Sequence, residues 1–378
     1  MRILQVTPFY TPSRGGSVMA PHNLIRALRA RGHEVTVLTT DFELDERFVA
    51  SIDGVEVVPF PCRARASLLL YSPAMGRWLR ENLPDYDLVH AHNYRTYQNI
   101  LVRKECLRSK TPYVLQAHGS MPSGLGKGMI KGMFDRAWGR RIVRDASGLI
   151  AVSELEAQHY VGTGASPSKV SVIPNIVRRR DASSPPGAFR SRVGAGDRKI
   201  VLFLGRINRL KGLPFLIESF SQVRSRSEAV LVIAGPDEEG HREELRAQAS
   251  QMGLDGDVLF VDDVDDVASA YQDAAVLVYP SSYEVFGLVP FEALLCGTPV
   301  IVTEDTGCGE IVRKQECGLT VPFGNTDALS KAMEQSLSDP IGMRAMAERG
   351  RRFVEDELNE RRVADRFEEA YARCVRDR

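Results

Sequence analysis

Several things are missing from this 378-residue chain, and each omission removes a class of protein. Nowhere do about 18 consecutive apolar residues occur, so the sequence offers no membrane-spanning helix. The opening MRILQVTPFY lacks the long apolar core and small-residue cleavage site of a signal peptide. Six cysteines (Cys62, Cys106, Cys296, Cys308, Cys317, Cys374) stand without a CxxC pair. That argues for buried free thiols and against a zinc site or a disulfide framework. Net charge is missing too: 49 Lys and Arg balance 49 Asp and Glu. No global field therefore draws nucleic acid, and any basic patch must be local. The dinucleotide GxGxxG fingerprint is absent, which disfavours a nicotinamide site, and no repeat of solenoid period is visible. The expectation is a cytoplasmic protein with no nucleic-acid partner.

What is present is ordinary globular material, 43% hydrophobic and 26% charged. The length exceeds what one core usually supports and predicts two domains of roughly 180 residues each. Short β-rich runs at Arg2 to Val6, Glu34 to Leu38, Leu88 to Ala91, Tyr113 to Ala117, Gly148 to Val152 and Val170 to Ile173 alternate with helical stretches. Alternation of this kind implies a parallel sheet covered on both faces. Residues 178–198, rich in charge, Pro, Ser and Gly, read as an interdomain linker. A second alternating unit follows: KIVLFLG, a helix near Pro214 to Arg224, a strand Ala229 to Ala234, a helix Arg242 to Met252 and a strand Val258 to Val261.

Two segments of the second unit carry chemistry. In PSSYEVFGLVPFEALLCGTPVIV, the apolar run Ala274 to Tyr279 is a buried strand that Pro280 ends, so Glu284 lies beyond a strand's carboxyl end, the ligand-binding edge of open α/β sheets. Gly287 lets backbone approach a ligand, and Pro290 suits a first helical turn. Free N–H groups of Gly287, Leu288 and Val289 at a helix N-terminus attract phosphate. Glu284 and Glu292 can each accept two hydrogen bonds from a vicinal diol, one suiting a ribose and the other a hexose. The plainer alternative is a helix start whose acidic residues complement its dipole. The other segment is GRINRLKG, where Arg206 follows the strand Ile200 to Leu204 and Lys211 precedes a Gly212/Pro214 turn. An Arg fork and a Lys point charge together neutralise a diphosphate and the charge that grows on a leaving nucleotide. Two solvated cations in a polar loop are the alternative. Near the N-terminus, Gly15 and Gly16 sit at a strand-to-helix junction where backbone can approach a phosphate or sugar.

Taken in order, RGG, RGHEVTVLTT, VSVIPN, GRINRLKG, PSSYEVFGLVPFE with its E-x7-E spacing and PVIVTEDTGCGEIV resemble the retaining GT-B glycosyltransferases of family 4 across nearly the whole chain. The resemblance implies an α/β fold of GT-B architecture, two Rossmann-like doubly wound parallel-sheet domains facing a central cleft. It places an acceptor domain at 1–177, joined by a C-terminal helix over about 361–378, and a nucleotide-sugar donor domain at 199–360. By the same resemblance Arg206 and Lys211 match the diphosphate-binding pair, Glu284 the carboxylate on donor-sugar hydroxyls and Glu292 the one on the ribose. Gly287 and Leu288 match backbone donors, Gly15 and Gly16 the N-terminal glycine-rich loop, and His118 in QAHGS the histidine beside the reaction centre. The family often follows its PN motif with glycine, whereas here Asn175 precedes Ile176-Val177-Arg178. His90 and His92 in LVHAHN resemble a segment near the same place without an assignable role.

The activity these features imply is transfer of a sugar from a UDP- or GDP-sugar to a hydroxyl of a glycan or lipid-linked acceptor, without a metal. A nucleotide-sugar epimerase, a phosphorylase and a silent sugar-nucleotide binding module are the alternatives, because fold does not fix function. The acidic run Asp262, Asp263, Val264, Asp265, Asp266 reads as helix capping and solvated loop rather than a metal motif. In segment 127–144, Ile130, Met133, Phe134, Ala137 and Trp138 follow helical spacing among Lys127, Lys131, Arg136, Arg140, Arg141 and Arg144. The segment can dock on anionic lipid at the inner face of the cell membrane. The commoner arrangement, an apolar stripe turned to its own core, is the expectation here.

Overall fold

The computed structural model describes residues 1–66, 69–122, 128–224, 227–238, 240–262 and 264–376. Lys127, Asp263 and the last two residues of the expected C-terminal helix lie outside the described residues. The chain divides into two compact units, Met1–Ile176 with Glu360–Arg378, and Val177–Asn359.

In the first unit the strands are β1 (Arg2–Val6), β2 (Glu34–Thr40), β3 (Glu56–Phe60), β4 (Ala64–Ala66), β5 (Leu69–Tyr71), β6 (Leu88–His92), β7 (Tyr113–Gln116), β8 (Gly148–Ala151) and β9 (Val170–Val172). Seven of them form one sheet in the order β3-β2-β1-β6-β7-β8-β9, parallel throughout. β4 and β5 make a separate antiparallel hairpin. Parallel strands are covered on both faces, and β1, β6, β7 and β8 are accordingly buried almost end to end. β3, which the sequence reading did not anticipate, contains Pro59; Pro costs a ladder hydrogen bond and is tolerated because β3 is an edge strand. The helix Glu360–Arg376 packs on this sheet through Val363, Ala364, Phe367, Ala370, Tyr371 and Cys374, a three-and-four spacing that meets Ile3, Leu24, Leu28 and Val114. Arg31 fixes its outer side by ion pairs to Asp365 and Glu368.

Segment 128–145 departs from expectation. It folds as a helix Gly128–Phe134, a π turn Asp135–Gly139 and a helix Arg140–Asp145. Phe134 is buried with Ile142 and Val143, but Met129, Ile130, Met133 and Trp138 are 83%, 64%, 67% and 47% exposed. Of the stripe expected to face the core, Phe134 turns inward while Ile130, Met133 and Trp138 face outward. The wide π turn displaces the side chains after it by more than a normal turn would, so the inward face passes from Phe134 to Ile142 and Val143.

The second unit contains β10 (Lys199–Leu204), β11 (Ala229–Ala234), β12 (Val258–Val261), β13 (Ala274–Tyr279), β14 (Val300–Thr303) and β15 (Leu319–Val321). They lie parallel in the order β12-β11-β10-β13-β14-β15. The direction of winding reverses between β10 and β13, and that topological switch point opens a crevice at the strands' carboxyl ends. Segment 178–198, read from sequence as a linker, belongs to this unit. Ser183 and Ser184 donate to Asp266, Gly187 and Arg190 donate through their backbone N–H to Asp273, and Phe189 is buried. Asp266 also caps the helix Val267–Asp273 by accepting from Ser269 N–H at 3.0 Å.

Candidate functional site

The loop after β10 carries GRINRLKG and the loop after β13 carries PSSYEVFG, so both chemical segments leave the second sheet at its switch point. Their backbones touch. Ser282 N–H donates to Leu210 C=O at 2.8 Å, and a side chain on Gly212 (φ 65°) would collide with the Pro280 carbonyl oxygen. Only glycine allows that approach.

Approach of the loops brings Lys211 to Glu284. Lys211 Nζ lies 2.9 Å from Glu284 Oε2 and 2.5 Å from Tyr279 Oη, and the Tyr279 hydroxyl donates to the same carboxylate oxygen at 3.0 Å. The ammonium stands 4.6 Å from the centre of the Tyr279 ring. Burial works against the charge on Lys211, but Glu284 and then Tyr279 outweigh it and hold its pKa above the ordinary value. Burial likewise pushes Glu284 up, and Lys211 more than compensates, so the carboxyl stays below its usual range. Both groups are charged at neutral pH. The ammonium has three donors, of which two are engaged, so one remains for a ligand anion.

Gly287 (φ 74°) precedes the helix Leu288–Leu295, with Glu284 Cγ and Cys308 Sγ each 3.2 Å from where its Cβ would be. A second helix start, Gly307–Lys314 capped by Thr306, meets the same loop: Gly307 N–H donates to Glu284 C=O at 2.8 Å.

The remaining predicted members are close by in the chain but differently engaged. Arg206 Nη1 lies 2.5 Å from Glu238 Oε1, and Asn208 Nδ2 donates to Glu238 Oε2 at 2.9 Å. Arg206 thus rests on an acid from the loop after β11. Glu292 accepts from the Tyr271 hydroxyl at 3.1 Å and pairs with Arg180 at 3.5 Å. The structure therefore joins Lys211 to Glu284 directly, and gives Arg206 and Glu292 partners of their own.

In the first unit, Gly15 (φ 63°) and Gly16 open the helix Gly16–Ala30 at the carboxyl end of β1. His118 follows β7, with φ at 51°. Its Nε2 is 2.9 Å from His92 Nδ1, and His92 Nε2 is 2.6 Å from Gln5 Oε1. His90 is buried beside His92, their ring centres 4.2 Å apart, and its Nδ1 is 2.7 Å from the Tyr371 hydroxyl. Burial depresses all three imidazoles, His118 to about 3. The chain is neutral at pH 7. With Gln5 Oε1 accepting, His92 carries its proton on Nε2 and His118 donates from Nε2, which leaves His118 Nδ1 as an acceptor.

Among the described residues no three His, Cys, Asp or Glu side chains gather as a metal-binding group. No helix among them is long and apolar enough to cross a membrane.

Comparison with known proteins decides the family. Residues 188–353 match the model of glycosyl transferases group 1, and residues 15–176 match that of the glycosyl transferase 4-like domain. A phosphatidyl-myo-inositol mannosyltransferase of Mycobacterium leprae is 32% identical over 361 residues, covering 90% of this chain and 88% of that one. The chain belongs to the group 1 glycosyltransferases. A glycosyltransferase of Methanocaldococcus jannaschii is 29% identical over 360 residues, 90% of each chain. Among solved structures, Anabaena HepE in complex with UDP superposes with a TM-score of 0.83 at 19% identity, over 98% of this chain and 100% of that one. The same protein has been solved with UDP-glucose. The fold of this glycosyltransferase is thus GT-B.

Sequence reasoning missed four residues of this glycosyltransferase's candidate site. Tyr279 reads as the last apolar residue of a strand, and Tyr271 as part of a helix. Glu238 and Asn208 gave a signal only in retrospect, as polar residues in loops that follow β11 and β10 at the same sheet edge.

Proposed function

We propose that this glycosyltransferase moves a sugar, with retention of anomeric configuration, from a UDP- or GDP-linked donor to a hydroxyl of a glycan or lipid-linked acceptor. The observation that carries the reading is the Lys211, Glu284 and Tyr279 cluster at the switch point of the second sheet. A permanently charged ammonium with one donor to spare meets a phosphate there, and a carboxylate beside it accepts from sugar hydroxyls. Arg206 adds a second cation by leaving Glu238 for the diphosphate, and Glu292 accepts from the ribose diol. The N–H groups of Gly287 and Leu288 face the developing negative charge. In the first unit, Gly15 and Gly16 give the donor a close backbone approach, and neutral His118 accepts a hydrogen bond at Nδ1 from a hydroxyl of the transferred sugar.

Breaking the bond from the anomeric carbon to the diphosphate oxygen leaves negative charge on the nucleotide and cationic character on the sugar. The acceptor oxygen then bonds the anomeric carbon on the same face, and its proton passes to the departing diphosphate oxygen. Lys211 and Arg206 supply the counter-charge in this scheme, so transfer proceeds without a metal. HepE's complex with UDP-glucose supports a nucleotide-sugar donor, and the lipid named in the mycobacterial relative supports a lipid-linked acceptor.

A donor panel (UDP-glucose, UDP-galactose, UDP-N-acetylglucosamine, GDP-mannose) tests the reading by nucleotide release with and without acceptor. Release that depends on acceptor, with the donor's anomeric configuration kept by NMR, is the expected result. Acceptor-independent sugar interconversion, or an inverted product, overturns it.

We further propose a membrane role for the first unit, supported by the outward face of segment 128–145. Five cations and two carboxylates share this segment with the four exposed apolar side chains. Asp135 pairs with Arg95, and Asp145 pairs with Arg103 and with Arg144 of the segment itself. Exposed apolar residues set among cations fit the interface of an anionic bilayer at the cytoplasmic face.

A further inference from the structure

Glu156 is a carboxyl group that the transfer chemistry leaves unused. It is completely buried, and no cation contributes to its surroundings, yet both oxygens are occupied. Oε1 accepts from Gly119 N–H at 2.6 Å and Oε2 from Val152 N–H at 2.9 Å. A buried carboxyl with no counter-ion is expensive and persists only where its hydrogen bonds are needed.

Half of the arrangement is local. Ser153 caps the helix Glu154–Gly162 by accepting from Glu156 N–H at 3.3 Å, and Ser153-x-x-Glu156 is the capping-box spacing. In that motif the glutamate returns to the N–H of the cap itself. Here it reaches Val152 and also crosses to Gly119, 37 residues away in sequence, by the shorter of its two bonds. Starting a helix does not require that second bond.

The far end of the bond is unusual as well. His118 and Gly119 are both left-handed, with φ of 51° and 77°. A histidine is strained there and keeps that conformation only where its surroundings impose it. Tyr160, one turn along the same helix as Glu156, secures the preceding residue, its hydroxyl accepting from Ala117 N–H at 2.8 Å.

We propose that Glu156 is a positioning residue for sugar transfer: by gripping Gly119 N–H it holds the His118–Gly119 backbone left-handed and so aims the His118 imidazole at the donor sugar. The inference rests on the reading of His118 given under the proposed function.

Burial lifts the Glu156 carboxyl to about 7, against the pull of the Gly119 and Val152 N–H groups. The titratable groups facing it are Tyr160 from its own helix, whose phenol burial keeps neutral, and His118 from the turn, neutral above about 3. Neither titrates between pH 5 and 9. Below about 7 the carboxyl takes a proton, and one of the two N–H groups loses its charged acceptor. Turnover then rises with pH to a plateau above neutrality.

Glu156→Gln keeps the shape and the local cap, but turns an NH2 group toward one of the two N–H donors. The expected result is a kcat lower by about tenfold to a hundredfold, the size of effect that misplacing a reacting group produces. UDP affinity by calorimetry and the melting temperature stay near wild type, and the rise of kcat through neutral pH disappears. NMR of 15N-labelled protein reads the device without any donor. The His118 ring signals move in Glu156→Gln, and the Gly119 and Val152 amides of the wild type share a titration midpoint near 7 that the variant lacks. A second background separates this inference from the one beneath it. If His118→Ala leaves kcat intact, the reading of His118 falls. If His118→Ala is impaired and Glu156→Gln lowers kcat further within it by the same factor, Glu156 does not act through His118 and the inference falls. Unmoved His118 signals, or joint loss of UDP binding and stability, also overturn it.

Discussion

Replacing Lys211 by methionine separates the structural and chemical duties of one side chain. The pair it forms with Glu284 is mostly shielded, 11% and 20% exposed, so removing the cation leaves a buried carboxylate with the Tyr279 hydroxyl and the Phe286 N–H but no counter-charge from Lys211. The carboxylate can escape by taking a proton. With an ordinary glutamate value of 4.5, protonation at pH 7 costs about 3.4 kcal/mol, at about 1.4 kcal/mol per pH unit. That lies within the roughly 3–5 kcal/mol expected for breaking a buried pair. The deficit therefore shrinks to about 0.7 kcal/mol at pH 5. The sign follows from linkage in the variant: the wild-type pair, with its depressed Glu284 pKa, is fully formed at both pH values, whereas the orphaned Glu284 has its folded pKa raised, so it costs nothing below the ordinary value and destabilises increasingly as pH rises above it. At about 2–4 °C per kcal/mol for a unit of this size, the melting temperature of the second unit drops by roughly 7–14 °C at pH 7 and by no more than about 3 °C at pH 5. In the same variant UDP binds about tenfold or more weakly, the loss of one charge-assisted hydrogen bond to phosphate, and turnover falls below detection. Adding Glu284→Gln removes the orphaned charge and restores much of the stability, but no turnover. Differential scanning calorimetry at the two pH values and nucleotide-release assays check this. An equal melting deficit at pH 5 and pH 7, or turnover recovered with stability in the double variant, refutes the assignment.

Other outcomes follow from the same geometry. Glu238 holds Arg206 in a half-exposed pair, a kind worth about 1 kcal/mol at most, so Glu238→Gln tightens UDP binding by up to about fivefold in calorimetry. Weaker binding would mean that Glu238 orients Arg206 instead of competing for it. Glu292→Gln loses a charged acceptor for the ribose and weakens UDP by about tenfold, whereas it leaves the Lys211 and Glu284 pair and the pH 7 melting temperature near wild type. Treating the enzyme with EDTA leaves donor turnover unchanged; loss that magnesium restores would return the counter-charge to a metal. Liposome flotation shows binding to vesicles containing anionic phospholipid and none to neutral ones, and Met133→Asp with Trp138→Asp abolishes it without changing UDP affinity. Equal binding to neutral vesicles, or none to either, removes the membrane reading.

The parts of this molecule that were legible in its sequence are those written locally. β10, β11 and β13 read as apolar runs because a strand buried on both faces has no polar side to interrupt it. Lys211 and Glu284 are 73 residues apart in sequence, yet their meeting followed from two local facts, that each lies just beyond a strand's end and that parallel sheets present those ends along one edge. What stayed hidden needed a third partner or a phase. Glu238 comes from the loop after a neighbouring strand, and nothing in GRINRLKG says that an acid will occupy Arg206. Tyr279 reads as core, since a phenol in an apolar strand shows no sign that its hydroxyl will join an ion pair. Segment 128–145 is the sharpest case, because helical spacing separates two faces without saying which one turns inward. A π turn at Asp135–Gly139 breaks the phase between Phe134 and Ile142, so no single stripe runs the length of the segment. Periodicity counted across such a turn adds side chains from opposite faces. Ile130, Met133 and Phe134 all precede the turn, and there the helix already divides its faces: Phe134 goes to the core and the other two face outward.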